Sequence, residues 1–186
     1  MNILLGLASF IAFFVLARSI GAAAGLWAAA AIALALLARA RLRGQTEVKL
    51  LEAGAAVLFV GLAIVASLVG SDWSVFEVRV FVDLGLVAIT LGSILIGRPF
   101  TLQYAREQVP PERWTHPLFL AANRRISAVW ALAFIVETAC GAVVAWAPGV
   151  PPLFPLVANV LALAGAVAFT VEYPKRLRAR NAMANG

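Results

Sequence analysis

The chain has one cysteine, Cys140, and one histidine, His116, among its 186 residues. No intramolecular disulfide and no thiol-based metal site can form, and a zinc-type site is not expected, because such sites draw most of their ligands from these two residue types. Acidic residues are scarce as well. There are nine Asp and Glu against fifteen Lys and Arg, and charged residues of both signs make up only 13% of the chain. The sequence contains no G-x-x-x-x-G-K-S/T, no H-E-x-x-H, no G-x-S-x-G and no C-x-x-C. The phosphate-loop, metalloprotease, serine-hydrolase and dithiol signatures are therefore missing. The expectation is a non-enzymatic protein without metal or cofactor. Long polar stretches are also missing, with one exception at 97–125.

What is present is apolar. Hydrophobic residues make up 63% of the chain and the mean hydropathy is +0.94, more apolar surface than a soluble domain of this length could cover. The apolar residues form blocks at about 3–17, 20–38, 50–69, 79–96, 126–146 and 153–173. Blocks near twenty residues long cross a hydrocarbon core of about 30 Å at 1.5 Å per residue. The predicted fold is an all-α integral membrane protein, a single domain over 1–173 built as a helical bundle of six transmembrane helices. The count becomes five if the first block, short for a crossing, lies in the interface or re-enters. A long loop at 97–125 and a basic tail at 174–186 complete the layout. Gly21 and Gly25 in the alanine-rich second block form a G-x-x-x-G pattern, which either lets helices approach closely, as in an oligomer, or reflects composition alone.

The net charge of +6 and pI near 10.7 could point to nucleic acid, but the basic residues sit at the ends of apolar blocks, where they set topology and meet anionic headgroups. The lipid bilayer is the expected partner and nucleic acid is not. The connection at 39–49, the segment 97–125 and the tail hold thirteen of the fifteen basic residues; Arg18 and Arg79 are the other two. Alternate connections are thus basic, and the basic ones should face the cytoplasmic side of a bacterial inner membrane, which puts the C-terminus there, and the N-terminus too if there are six spans; with five spans the N-terminus lies outside. Trp73, Trp114 and Trp146 fit aromatic belts at the two interfaces.

This layout resembles a known family. The alanine-rich second span, the Arg39-Ala40-Arg41 connection, the short acidic turn with Asp72 and Glu77, and a span ending Gly97-Arg98-Pro99-Phe100 are similar to the intracellular septation protein A family of bacterial inner-membrane proteins. Asn123 followed by Trp130-Ala131-Leu132-Ala133-Phe134 looks like the start of that family's next span. The resemblance covers most of the chain. It implies a role in cell division and envelope integrity, and carries over no catalytic residue.

The residues that stand out within the apolar blocks are Glu137, Asp83, Asn159 and Arg79. Glu137 lies near the middle of its block, where a charged carboxylate costs roughly 2.5–3.5 kcal/mol on insertion scales. Asp83 follows Arg79 by four residues on one helix face. At 1.5 Å per residue, Glu137, Asn159 and Asp83 should lie about 13, 9 and 6 Å from the same membrane surface, so three spans could supply one polar cluster. As a functional site it would handle protons or substrate. The alternative is an interhelical hydrogen bond, Glu137 to Asn159 or a backbone carbonyl, that holds the bundle together.

Segment 97–125 is the other candidate. Gly97 can end one helix and Pro99 open another, with Leu102, Ala105 and Val109 on one side and Pro110-Pro111 as its stop. Arg98, Tyr104, Arg106, Arg113 and Trp114 are residue types enriched where proteins meet partners, so the loop reads as a surface for a partner protein or anionic lipid. It reads equally as a positive tether that only sets topology. His116 is expected to be a solvated loop residue. Two function classes follow: a partner-binding protein of envelope maintenance or septation, contacting envelope or division proteins, or a small proton-linked transporter or permease using Glu137 and Asp83.

Overall fold

The computed structural model describes residues 7–44, 48–69, 73–147, 149–151 and 153–184. Asp72, expected in the acidic turn, and the start of the first apolar block lie outside the described residues. Among the described residues there are seven α-helices and no strand: α1 (Ala8–Ile20), α2 (Ala22–Leu42), α3 (Leu50–Val69), α4 (Val75–Leu95), α5 (Phe100–Arg106), α6 (Pro117–Trp146) and α7 (Leu153–Ala184), with a 3-10 turn at Pro111–Arg113. Helices are what the composition requires, since a backbone in hydrocarbon must satisfy its own N–H and C=O groups. Five of them, α2, α3, α4, α6 and α7, are long and apolar enough to cross a membrane. The chain is an all-α, multi-pass membrane bundle.

The first helix, α1, has 13 residues, about 20 Å at 1.5 Å per residue, and falls short of the hydrocarbon core by itself. It folds back on α2 through Gly21, whose φ of 91° suits glycine. The two helices then touch so closely that a Cβ on Gly25 would lie 2.8 Å from the Ala17 Cα. The two glycines of the G-x-x-x-G pattern therefore have different tasks, one at a turn and one at a contact inside the chain. Further along, α1 presses Phe10 and Phe13 onto Phe59 of α3, with ring centroids 4.9 and 5.9 Å apart. Its Phe14 reaches α4.

The central pair is α4 with α6, which run antiparallel. Their buried positions recur at spacings of three and four: Asp83, Leu86, Thr90 and Ser93 on α4; Asn123, Ser127, Trp130, Phe134, Glu137 and Gly141 on α6. That is the seam of two closely packed, nearly antiparallel helices. The edge helix α7 packs chiefly against α6 and turns most of its apolar side chains outward, as a lipid-facing helix should. Trp130 ties it on by donating from its ring N–H to the Thr170 hydroxyl over 3.0 Å.

Several helix ends differ from the sequence reading. α4 begins at Val75 because Ser74 and Glu77 form a reciprocal capping box, four residues ahead of the expected start at 79. α6 begins at Pro117, not 126, because His116 caps it, its Nδ1 accepting from the Leu118 N–H at 3.3 Å, and Pro117 suits a first turn. The expected solvated loop histidine is thus an exposed N-cap. Most of 97–125 is helical, and the described part of the 174–186 tail continues α7 through Pro174 to Ala184. The extensions of α6 and α7 carry Arg124, Arg125, Lys175 and Arg176, and long basic side chains at a span's end can keep their stems on apolar surface while their heads reach polar surroundings. Hydropathy blocks end earlier than the helices for that reason.

Candidate functional site

Because α4 starts at Val75, Asp83 lies eight residues from its helix end, about 12 Å deep, level with Glu137 about 13 Å from the end of α6. The same end is pinned by the Trp146 ring N–H donating to the Glu77 carboxylate at 3.4 Å. Asp83 and Glu137 therefore stand at one level on the two sides of the α4–α6 seam, and Gly141, one turn beyond Glu137 on the buried face of α6, lies against Asp83. Arg79 Nε stands 3.6 Å from Asp83 Oδ2, an ion-pair distance but longer than a hydrogen bond. The Asp83 side chain is fully buried, while that of Arg79 is one-third exposed.

The pairing is incomplete. Neither carboxylate oxygen of Asp83 accepts a hydrogen bond from the described residues, and Arg79 Nε donates none. Glu137 is 6% exposed and has no hydrogen-bond or ion-pair partner among the described residues. The expected bond from Glu137 to Asn159 or a backbone carbonyl is not formed. Asn159 is buried on α7, with its own side-chain oxygen unpartnered. The site thus carries two carboxyl groups and one guanidinium in the spanning part of the bundle, where an uncompensated charge is expensive.

Two further residues shape this place, and neither was legible as a site residue. Phe14 of α1 lies under the Arg79 guanidinium, 5.0 Å from ring centroid to Cζ. Gly141 of α6 faces Asp83, with its absent Cβ 3.7 Å from Oδ2 and 3.3 Å from Val80 Cγ2. In an apolar span a phenylalanine looks like any lipid-facing or core residue. The spacing of Gly141 four residues beyond Glu137 was the only available signal. Cys140, three residues beyond Glu137, is half-buried and free.

At the opposite, basic end, segment 97–125 folds into the bundle. Gly97, with φ 72°, ends the turn after α4, and α5 then docks through buried Phe100, Thr101, Leu102 and Tyr104. Ser93 accepts from the Phe100 N–H at 3.1 Å. The Thr101 hydroxyl donates to the Asn123 carbonyl at 2.9 Å and lies 2.8 Å from the Ser127 hydroxyl. Gln103 accepts from the Leu50 N–H at 2.7 Å and so satisfies the start of α3. Lys49 meets Glu107 at 2.7 Å and lies 4.6 Å from the centre of the Tyr104 ring. Burial, with Glu52 and Glu107 nearby, pushes the Tyr104 phenol well above the usual tyrosine range, so it remains a neutral hydroxyl.

This arrangement changes the reading of the loop residues. Tyr104 is 4% exposed and cannot meet an outside partner without α5 leaving its seat. Arg106 and Trp114 are half-buried against each other, 5.3 Å from guanidinium to ring, and the Trp114 ring N–H donates to the Val109 carbonyl. Arg98 and Arg113 alone of the five are exposed. Among the described residues no group of three His, Cys, Asp or Glu side chains is placed to hold a metal ion. Comparison with protein-family models, with curated proteins and with solved structures finds no match for this chain.

Proposed function

We propose that this chain is a small carrier of the bacterial inner membrane, C-terminus in the cytoplasm, that moves a small solute in a proton-linked way. Asp83 and Glu137 are its working groups. One observation carries the reading: Asp83 is fully buried in the spanning part of the bundle, neither of its oxygens is hydrogen-bonded by the described residues, and a second buried carboxyl group, Glu137, stands at the same level on α6. Bundle stability alone does not call for such an arrangement. Replacing buried ionic groups with well-packed apolar ones is often neutral or stabilising, so a carboxyl pair with one partial partner points to chemistry done there. Ionisable groups inside spans mark ion and substrate paths as a rule.

A second reading has its own observation. Arg98, Arg113 and Arg124 are exposed at the basic end and would suit a partner protein of the envelope or septum. The likeness to the septation protein A family belongs to this second reading. Complementation of a deletion strain separates the two. Asp83→Asn and Glu137→Gln should insert normally and fail to rescue, while Arg98→Ala with Arg113→Ala should rescue. The reverse pattern would replace the carrier reading with the partner-binding one.

A further inference from the structure

The Arg79 guanidinium is held in an unusual way for a buried ion pair. Its contacts are a 3.6 Å approach to Asp83 and the face of the Phe14 ring at 5.0 Å. Its Nε makes no hydrogen bond, and a third of its side chain is exposed. The bidentate fork that makes arginine–carboxylate pairs strong is absent. Against the guanidinium lie a flat aromatic face from α1 and the Asp83 carboxyl group of α4, with the buried Glu137 at the same level on α6, inside an apolar bundle. An aromatic face with nearby anionic groups is the chemistry that recognises organic cations, and desolvation strengthens it. Small inorganic cations ask instead for a shell of six or more oxygens, which Asp83 and Glu137 alone do not supply. Gly141 adds room beside Asp83 Oδ2 where any side chain would lie against the carboxylate.

We infer that Phe14, Asp83 and Glu137 form a binding site for a lipophilic monovalent organic cation, and that Arg79 occupies it as a tethered stand-in which the ligand displaces. The inference rests on the carrier reading for its purpose but concerns binding alone, so the two can fail separately. With both carboxyl groups ionised, the site would carry one negative charge more than Arg79 offsets, and a second cation, or a proton, can balance it. An incoming cation that releases Arg79 toward its exposed side gains the ring and both carboxylates. Arg79 is in this view a competitor of the ligand and not part of its grip.

The test uses the purified full chain in detergent, with tetraphenylphosphonium as the probe and sodium chloride and tetraphenylborate as controls, read by calorimetry. The expected result is one saturable site for tetraphenylphosphonium, with sodium and tetraphenylborate producing no comparable signal. Asp83→Asn and Glu137→Gln should each weaken binding at least about tenfold, a loss of about 1.4 kcal/mol. Phe14→Leu, which keeps the apolar volume and removes the ring face, should weaken it by about two- to thirtyfold, the range of a cation–π contact. The distinguishing variant is Arg79→Gln, which should bind more tightly than the wild type. If Arg79→Gln weakens binding as Asp83→Asn does, Arg79 belongs to the grip and the inference is wrong. Binding that is absent, or that survives both carboxyl substitutions, also overturns it. Carboxyl variants that fail to complement, in a protein that does not bind the probe, would leave the carrier reading standing with a different ligand.

Discussion

Ser127 is a small residue with a large share in the basic end of the bundle. Its hydroxyl lies 2.8 Å from that of Thr101 and accepts from the Thr101 N–H at 3.4 Å, so it seats α5 on α6. Ser127→Ala removes both contacts and should cost about 1 kcal/mol, the scale of one interhelical bond in a membrane bundle. Glu137→Leu should behave in the opposite way. Glu137 has no hydrogen-bond partner to strand among the described residues, so this larger-looking change should leave thermal stability equal or higher. Thermal unfolding of both variants in the same detergent checks the pair; a Glu137→Leu protein less stable than Ser127→Ala would mean that the carboxyl group is structural after all. Glu137, Asp83 and Arg79 were legible because charge is rare and costly in an apolar block. Ser127, Thr101, Thr90 and Ser93 were not, since single hydroxyls in spans are cheap and common and only the packing shows which are buried. The same holds for Phe14 and Gly141.

At the scale of elements, the α1–α2 hairpin shapes the carboxyl site, and α5 closes the opposite, basic end of the bundle. The hairpin carries Phe14 to Arg79, and its close contact depends on Gly25 lacking a side chain over the Ala17 backbone. Gly25→Leu should force the helices apart, costing about 1–3 kcal/mol as overpacking does, and should also lift Phe14 from its place. The checks are a lowered unfolding temperature together with weaker binding of tetraphenylphosphonium. A stable Gly25→Leu protein with unchanged binding would show that α1 does not position the site. The G-x-x-x-G pattern was visible in the sequence, but whether it served another copy or this chain was not. A small face reads the same for both uses. The seat of α5 was hidden for a related reason. Segment 97–125 is polar in composition, yet Phe100, Leu102 and Tyr104 turn inward while Glu107 reaches Lys49, and a mixed composition does not reveal which side is buried.

For the whole molecule, helix class and most spans followed directly from block length and hydropathy, while helix ends did not. Caps at Ser74 and His116 and snorkelling arginines extend helices past the apolar blocks. The concentration of basic residues on alternate connections predicts the orientation. A reporter inserted between residues 105 and 115, or fused after Arg180, should read cytoplasmic, and one at Ser71 periplasmic. A periplasmic signal from the 105–115 insertion would invert the bundle and place the Asp83–Glu137 level in its cytoplasmic half. Cys140 bears on how such questions can be asked. The only thiol of the chain sits one helical turn from Glu137, so a spectroscopic label can be attached beside the carboxyl pair without first removing any other cysteine. The native sequence thereby supplies its own single-point probe, and distances from that label to markers placed on α1 or α7 would track how the helices rearrange during a working cycle.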